Sequence, residues 1–346
     1  MRSLGCAAAW LLSCFFALAQ AHSSLFARYV ALGDSLTAGY RSGGLFAAGQ
    51  QAAYPLLIAR WAGHPIAAPL VAGAGCPPPI GATGVKDCHR LDPTARVSDF
   101  AVPGAAVGSL YQSSVETVPA DRRALYHLIL RGRTQVQAAI RRNPTLITLW
   151  IGANNILEAA FQAKLRLATS VQNFYNEYQE LLNLLVGQTQ AQIVLFTIPE
   201  VTAVPGLIPG NDLFWIGIGG LDCLDNPHRI SIVTAFGKGA PRPVDCNASY
   251  ALTRRLTSQI DQRVRAYNRI IEQLAPLYGA LVFHVGALLP ELQGGFYPFS
   301  GRAPFGPGFS RDGIHPSALG QYLLARRLAH FLSKHLGQHF KIPAAP

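Results

Sequence analysis

Five short runs along the chain are apolar almost without interruption, and five longer stretches carry apolar positions at helical spacing. Leu146 to Ile151 and Ile193 to Ile198 are the clearest runs, aliphatic and β-branched throughout. Tyr29 to Leu32, Val97 to Val102 and Ala280 to Val285 are shorter or more mixed. Continuous apolar runs of this length suit strands covered on both faces, as in a parallel sheet flanked by helices. The helical stretches fall near 54–62, 122–142, 161–187, 250–276 and 316–336. Strand–helix alternation predicts a three-layer α/β/α sandwich around a central parallel sheet of about five strands, with functional groups at the carboxyl ends of those strands.

Composition changes this picture only at the edges. Half of the 346 residues are hydrophobic and 14% are charged, which supports a sizeable core and excludes a disordered chain. The net charge of +11 is mostly arginine, scattered in pairs such as Arg122-Arg123, Arg141-Arg142, Arg254-Arg255 and Arg326-Arg327. Spread pairs read as solvated helix faces, so no nucleic-acid partner is expected, while contact with an anionic membrane surface stays open. Residues 1–21 read as a signal segment: Arg2, an apolar run from Cys6 to Leu18, then Ala19-Gln20-Ala21 as a small-x-small cleavage pattern. Leu11-Leu12-Ser13-Cys14 is a weaker lipoprotein pattern that would anchor the chain at Cys14. The expectation is an exported chain, secreted or in the cell envelope, with one domain over 22–346. Cys76, Cys88, Cys223 and Cys246 remain outside the signal segment, and four cysteines allow three pairings. Cys76–Cys88 and Cys223–Cys246 are favoured, because each pair brackets one loop rich in Gly, Pro and Asp.

The chemistry lies near the two ends. Gly33-Asp34-Ser35-Leu36 follows the first predicted strand, and Asp312-Gly313-Ile314-His315-Pro316 follows the last. A serine hydroxyl needs a neutral imidazole to take its proton, and the imidazole needs a partner to orient it. An aspartate three residues before a histidine supplies that pair within one turn. Two decoys share these patterns. Asp225-Asn226-Pro227-His228 repeats the spacing, and Gly308-Phe309-Ser310-Arg311-Asp312 misses a Gly-x-Ser-x-Gly elbow at its last residue and follows no predicted strand. Pro316 after the histidine suits the first residue of the final helix.

Gly33-Asp34-Ser35-Leu36 resembles the first motif of the SGNH (GDSL) hydrolase family, and the likeness continues in order. Gly104 within Val102-Pro103-Gly104-Ala105 matches the second motif, Gly152-Ala153-Asn154-Asn155 resembles the third and Asp312-Gly313-Ile314-His315 matches the last. Gly43-Gly44-Leu45, Gly49-Gln50 and Tyr54-Pro55 resemble an exported bacterial branch. The resemblance implies a flavodoxin-like sandwich and an esterase or lipase working through an acyl-serine intermediate. Ser35 would be the nucleophile, His315 the general acid and base, and Asp312 its orienter. The N–H groups of Ser35 and Gly104 and the Asn154 amide would form the oxyanion hole. Asn155 departs from the family pattern, which has aspartate there to fix the loop.

The segment from about 200 to 248 reads as a loop-rich insertion, either a lid or acyl-binding wall or a subdomain with its own small core. Gly217-Ile218-Gly219-Gly220 lacks the rest of a dinucleotide fingerprint, and no zinc, EF-hand or P-loop pattern occurs. No cofactor or metal is implied. A small-molecule or lipid ester is the expected substrate, with a carbohydrate deacetylase or a non-catalytic envelope binding protein as alternatives.

Overall fold

The computed structural model of the protein describes residues 25–301 and 303–345. The expected signal segment, with Cys6 and Cys14, lies outside the described residues. Four strands, β1 (Tyr29–Gly33), β2 (Leu146–Trp150), β3 (Gln192–Phe196) and β6 (Leu281–Phe283), form one parallel sheet in the order β1-β2-β3-β6. Two further short strands, β4 (Leu207–Pro209) and β5 (Arg229–Ser231), pair antiparallel outside it.

Alternation along the strands builds the layers, since successive side chains point to opposite faces. Val30, Leu32, Ile147, Leu149, Ile193 and Leu195 enter one buried cluster, together with Tyr178 and Leu181 of helix α4 (Val171–Gln188) and Ile260 and Tyr267 of helix α5 (Arg254–Leu277). Tyr29, Ala31, Leu146, Trp150, Val194 and Phe196 enter the other. That second cluster includes Ile58 of helix α1 (Tyr54–Trp61) and Leu324 and Leu328 of helix α6 (Ala318–Leu336). Neither face of the sheet meets water, which is why the strands read as unbroken apolar runs.

The predicted strand at Val97 to Val102 is not a sheet strand. It runs along the edge of β1 and exchanges bonds with it (Ala31 N–H to Ser98 O, Phe100 N–H to Ala31 O, Val102 N–H to Gly33 O), but makes only isolated bridges, Asp99 to Ala31 and Val97 to Ala67. Asp99 turns its carboxylate onto the Ala101 N–H at 3.1 Å, a local bond that competes with a regular ladder. The sheet therefore has four strands rather than five. The helical stretch expected over 122–142 is two helices, α2 (Ala120–Leu130) and α3 (Gln135–Ile140). Arg131 and Gly132 adopt positive φ at the break, and Thr134 opens α3 with a capping box to Gln137. The stretch expected from 161 starts only at Val171, where the Ser170 side chain caps the Asn173 N–H.

Both favoured disulfides, Cys76–Cys88 and Cys223–Cys246, are formed. The insertion packs Ile208, Leu213, Ile230, Ala235 and Val244 around the second of them, and that packing is continuous with the α1/α6 side of the core. Among the described residues, no helix is long and apolar enough to cross a membrane.

One buried contact joins the end of β1 to α3. The Gln135 side chain accepts from the Gly33 N–H at 3.1 Å and donates to the Gly33 carbonyl at 2.9 Å. Replacing Gln135 with Leu leaves the Gly33 N–H buried without a partner, and urea unfolding is expected to report a loss of about 1–3 kcal/mol.

Candidate active site

Three loops leave the carboxyl end of the sheet and meet. After β1, Gly33 turns at φ +155, and a Cβ there would stand 2.4 Å from the Trp150 carbonyl, so only glycine fits. Asp34 caps the helical turn Ser35–Ala38 by accepting the Leu36 N–H at 2.9 Å. After β2 comes Gly152-Ala153-Asn154-Asn155, and the edge segment brings Pro103-Gly104-Ala105 alongside. The third loop, 310–316, precedes α6.

Ser35, Asp312 and His315, 280 residues apart at the extremes, form one hydrogen-bonded chain. His315 Nε2 lies 2.9 Å from Ser35 Oγ, and His315 Nδ1 lies 2.9 Å from Asp312 Oδ2. All three are at least nine-tenths buried. The rival histidine goes elsewhere: His228 Nδ1 contacts the Cys246 carbonyl at 2.9 Å inside the insertion.

Asp312 is heavily solvated by protein. Its Oδ1 accepts from Ser310 Oγ (3.0 Å) and from the N–H groups of Ile314 and His315 (both 2.9 Å), and its Oδ2 also accepts from the Gly43 N–H at 2.8 Å. Burial alone would push this carboxyl up. His315 and the convergent N–H donors outweigh burial and hold it well below the usual carboxylate range. Sequence reasoning set Ser310 aside as a decoy nucleophile. The structure makes it a support for the carboxylate, and its hydroxyl also accepts the Ser42 N–H at 2.8 Å. Tyr40 was missed as well. Its ring lies 4.8 Å from that of His315, and burial, then Asp312, pushes its hydroxyl up to about 12. The Gly39-Tyr40 and Gly43-Gly44 pattern was the available signal for this wall.

The N–H groups of Ser35 and Gly104 make no hydrogen bond with any described residue. Gly104 sits at φ +78, with the Arg122 guanidinium against it. Asn154 faces the same cleft, but its amide is engaged, donating to the Ala105 carbonyl at 2.9 Å and to Asp34 Oδ2 at 3.2 Å. Asn155 is buried and uses both ends of its amide: Oδ1 accepts the Val107 N–H at 3.0 Å, while Nδ2 reaches Thr169 Oγ1 at 3.0 Å and Glu177 Oε2 at 3.5 Å. An aspartate there would face Glu177 with like charge, so the amide is the form that fixes this loop.

Pro316 does not open the last helix. Ser317 is the N-cap, bonded to the Gly320 N–H, and α6 begins at Ala318. The insertion lines no part of the cleft of about 340 Å³ around Ser35 and His315, so the lid expectation fails among the described residues. It braces the site from behind instead, through the Gly206 N–H to the Gly313 carbonyl at 2.8 Å.

A model of the GDSL-like lipase/acylhydrolase family matches residues 29–328, a stretch that holds every cleft residue named above. No curated protein matches the chain. Among solved structures it is similar to an extracellular lipase from Streptomyces rimosus, at 15% identity and TM-score 0.41, covering 87% of this chain and 98% of that one. It is similar to an acetylxylan esterase from Geobacillus stearothermophilus, at 14% identity and TM-score 0.40, covering 87% and 92%. It also resembles an alpha/beta hydrolase enzyme from the metagenome of Lake Arreo, Spain, at 14% identity and TM-score 0.39, covering 88% and 93%.

Asp34 generates a pH test. Burial pushes its carboxyl up from 3.8 to about 7, against the Leu36 N–H bond and the His315 charge, which favour ionisation. Between those values the folded state holds a proton that the unfolded chain has lost. Stability therefore falls as pH rises through this window, by about 1.4 kcal/mol per unit. Asp34→Asn removes that slope. Urea midpoints followed against pH should show the variant gaining on the parent from about pH 4 to pH 7, and a constant difference would mean that Asp34 ionises unhindered.

Proposed function

We propose that this chain, which belongs to the GDSL-like lipase/acylhydrolase family and is a carboxylic ester hydrolase, cleaves short acyl esters through an acyl-enzyme on Ser35. The observation that carries this reading is the unbroken chain from Ser35 Oγ through His315 to Asp312, with 2.9 Å at each step. His315 Nε2 takes the Ser35 proton as Oγ bonds to the carbonyl carbon. Asp312, kept ionised by its donors, stabilises the imidazolium that forms.

The tetrahedral oxyanion would be met by the two unengaged N–H groups, those of Ser35 and Gly104. The Asn154 amide is a third donor if it exchanges its longer bond to Asp34 for the oxyanion. His315 then returns its proton to the leaving oxygen as the carbon–oxygen bond breaks. Water, deprotonated by His315, frees the acid and restores Ser35.

A cleft of about 340 Å³ sits at the small end of ligand-site volumes, which favours a short acyl chain. Its mouth carries Lys86, Asp121 and Arg122, so a polar leaving group is accommodated. Acetylated sugars are the second reading, supported by that same polar mouth. The apolar insertion no longer argues for a long-chain lipid, because it contributes nothing to the cleft. The two disulfides point to an oxidising compartment, and with the signal pattern of residues 1–21 they support export.

The test is hydrolysis of p-nitrophenyl esters from acetyl to palmitoyl, alongside acetylated xylo-oligosaccharides. Ser35→Ala and His315→Ala should each lower kcat by at least about 1,000-fold, and Asp312→Asn by about 100- to 10,000-fold. His228→Ala should stay within about twofold, and the optimum should fall at the short esters. Turnover that survives Ser35→Ala would sink the proposal, and so would a wild type inactive on every ester, which would leave a binding module on the same scaffold.

A further inference from the structure

Arginine gathers at the other end of the sheet, where the sequence showed only scattered pairs. A cavity of about 660 Å³ opens at the amino end of β1. Arg28, Arg96, Arg141 and Arg142 line it, with His64 just past the end of α1, and no acidic residue among those described does. These arginines come from three places in the chain: the turn before β1, the start of the edge segment, and the adjacent positions 141 and 142 between α3 and β2. Among the described residues, none has a carboxylate within ion-pair distance. Residues 1–24 contain no Asp or Glu, so they bring no counter-charge either.

Two of the arginines are held in place. Arg142 Nη2 donates to the Arg96 carbonyl at 2.8 Å and to Ser98 Oγ at 3.1 Å, and Arg28 Nε donates to the Asn143 carbonyl. The other two, Arg96 and Arg141, are exposed, and their guanidinium groups bond to no described residue. Burial, then the Arg96 charge, pushes the Arg142 guanidinium below its ordinary value, so like charges repel here without relief. Asp99, the acid next in sequence to Ser98, is buried and bonds the Ala101 N–H instead.

We propose that this cavity binds a phosphate-bearing ligand carrying more than one negative charge. Four planar forks of donors suit tetrahedral oxyanions, which guanidinium groups grip by paired hydrogen bonds. The volume exceeds a single phosphate, and Phe26, Pro65 and Ile66 give the remainder of the ligand an apolar wall. The five residues of β1 separate this pole from Ser35 by about 17 Å, so the ligand is not the ester being cleaved.

The probes are inorganic pyrophosphate, followed by titration calorimetry of the full chain at low salt, and vesicles of phosphatidic acid or of phosphatidylcholine, followed by co-sedimentation. Arg96→Gln with Arg141→Gln should weaken pyrophosphate binding at least tenfold, while ester turnover and melting temperature stay at parental values. Arg254→Gln with Arg255→Gln removes the same charge from exposed positions on α5 and should change binding less than twofold. Loss of phosphatidic acid binding in the first variant alone, with pyrophosphate ignored, would identify a lipid headgroup as the source. Absence of binding to both probes overturns the proposal, as does an equal loss in the two double variants.

Discussion

The Asp312 carboxylate is the contact on which the Ser35–His315 end of the molecule depends. It accepts five hydrogen bonds, from Ser310, Ile314, the His315 backbone, the His315 ring and Gly43. Four of the donors are unable to move without displacing backbone or a buried hydroxyl. The charge is thus fixed in place before any substrate arrives, as preorganised electrostatics requires. The same bonds tie loop 310–316 to loop 42–43, so the turn carrying the histidine and the wall beside Ser35 are set by one group.

Around that anion the neighbouring polar groups are kept from competing with it. Asp34 lies next to Ser35 but is buried, and it is raised to about 7, so near neutrality a large share of it is protonated. Asn155 replaces a charge by an amide where Glu177 already supplies one. Gln135 satisfies both polar groups of the Gly33 peptide, which lets a strand end in a sharp turn without an orphaned donor. In each case a polar residue is buried and paired, and the site carries one committed negative charge opposite His315. The arginine-lined cavity is the opposite arrangement, with positive charge collected and left without an internal partner. The sheet separates the two poles.

Much of this was legible in the sequence. The apolar runs at 146–151 and 193–198 specified buried parallel strands, because period-two alternation disappears when both faces are covered. Gly33-Asp34-Ser35 after one run and Asp312-Gly313-Ile314-His315 before the last helix placed the serine and the Asp-x-x-His turn. Loop composition favoured the cysteine pairing that formed. Local chemistry dictated these features, so they could be read locally. The errors came where long-range geometry overrode local pattern. Residues 97–102 look like a strand, but make only isolated bridges, to Ala31 and Ala67, and spend an aspartate on their own backbone. Pro316 looks like a helix start, yet Ser317 offers the better cap.

Sequence alone thus determined the layer order, the presence of an Asp-x-x-His turn before the last helix and the resemblance that its motifs carry. The tertiary structure decided which of two such turns reaches Ser35, since equal spacing cannot choose between His228 and His315. It turned Ser310 from an apparent nucleophile into a carboxylate donor, placed the insertion behind the site rather than over it, and drew arginines from three distant segments around one cavity. Apart from the local Ser310–Asp312 bond, each of those outcomes rests on residues tens to hundreds of positions apart, and only burial and closure of the sheet bring such groups together.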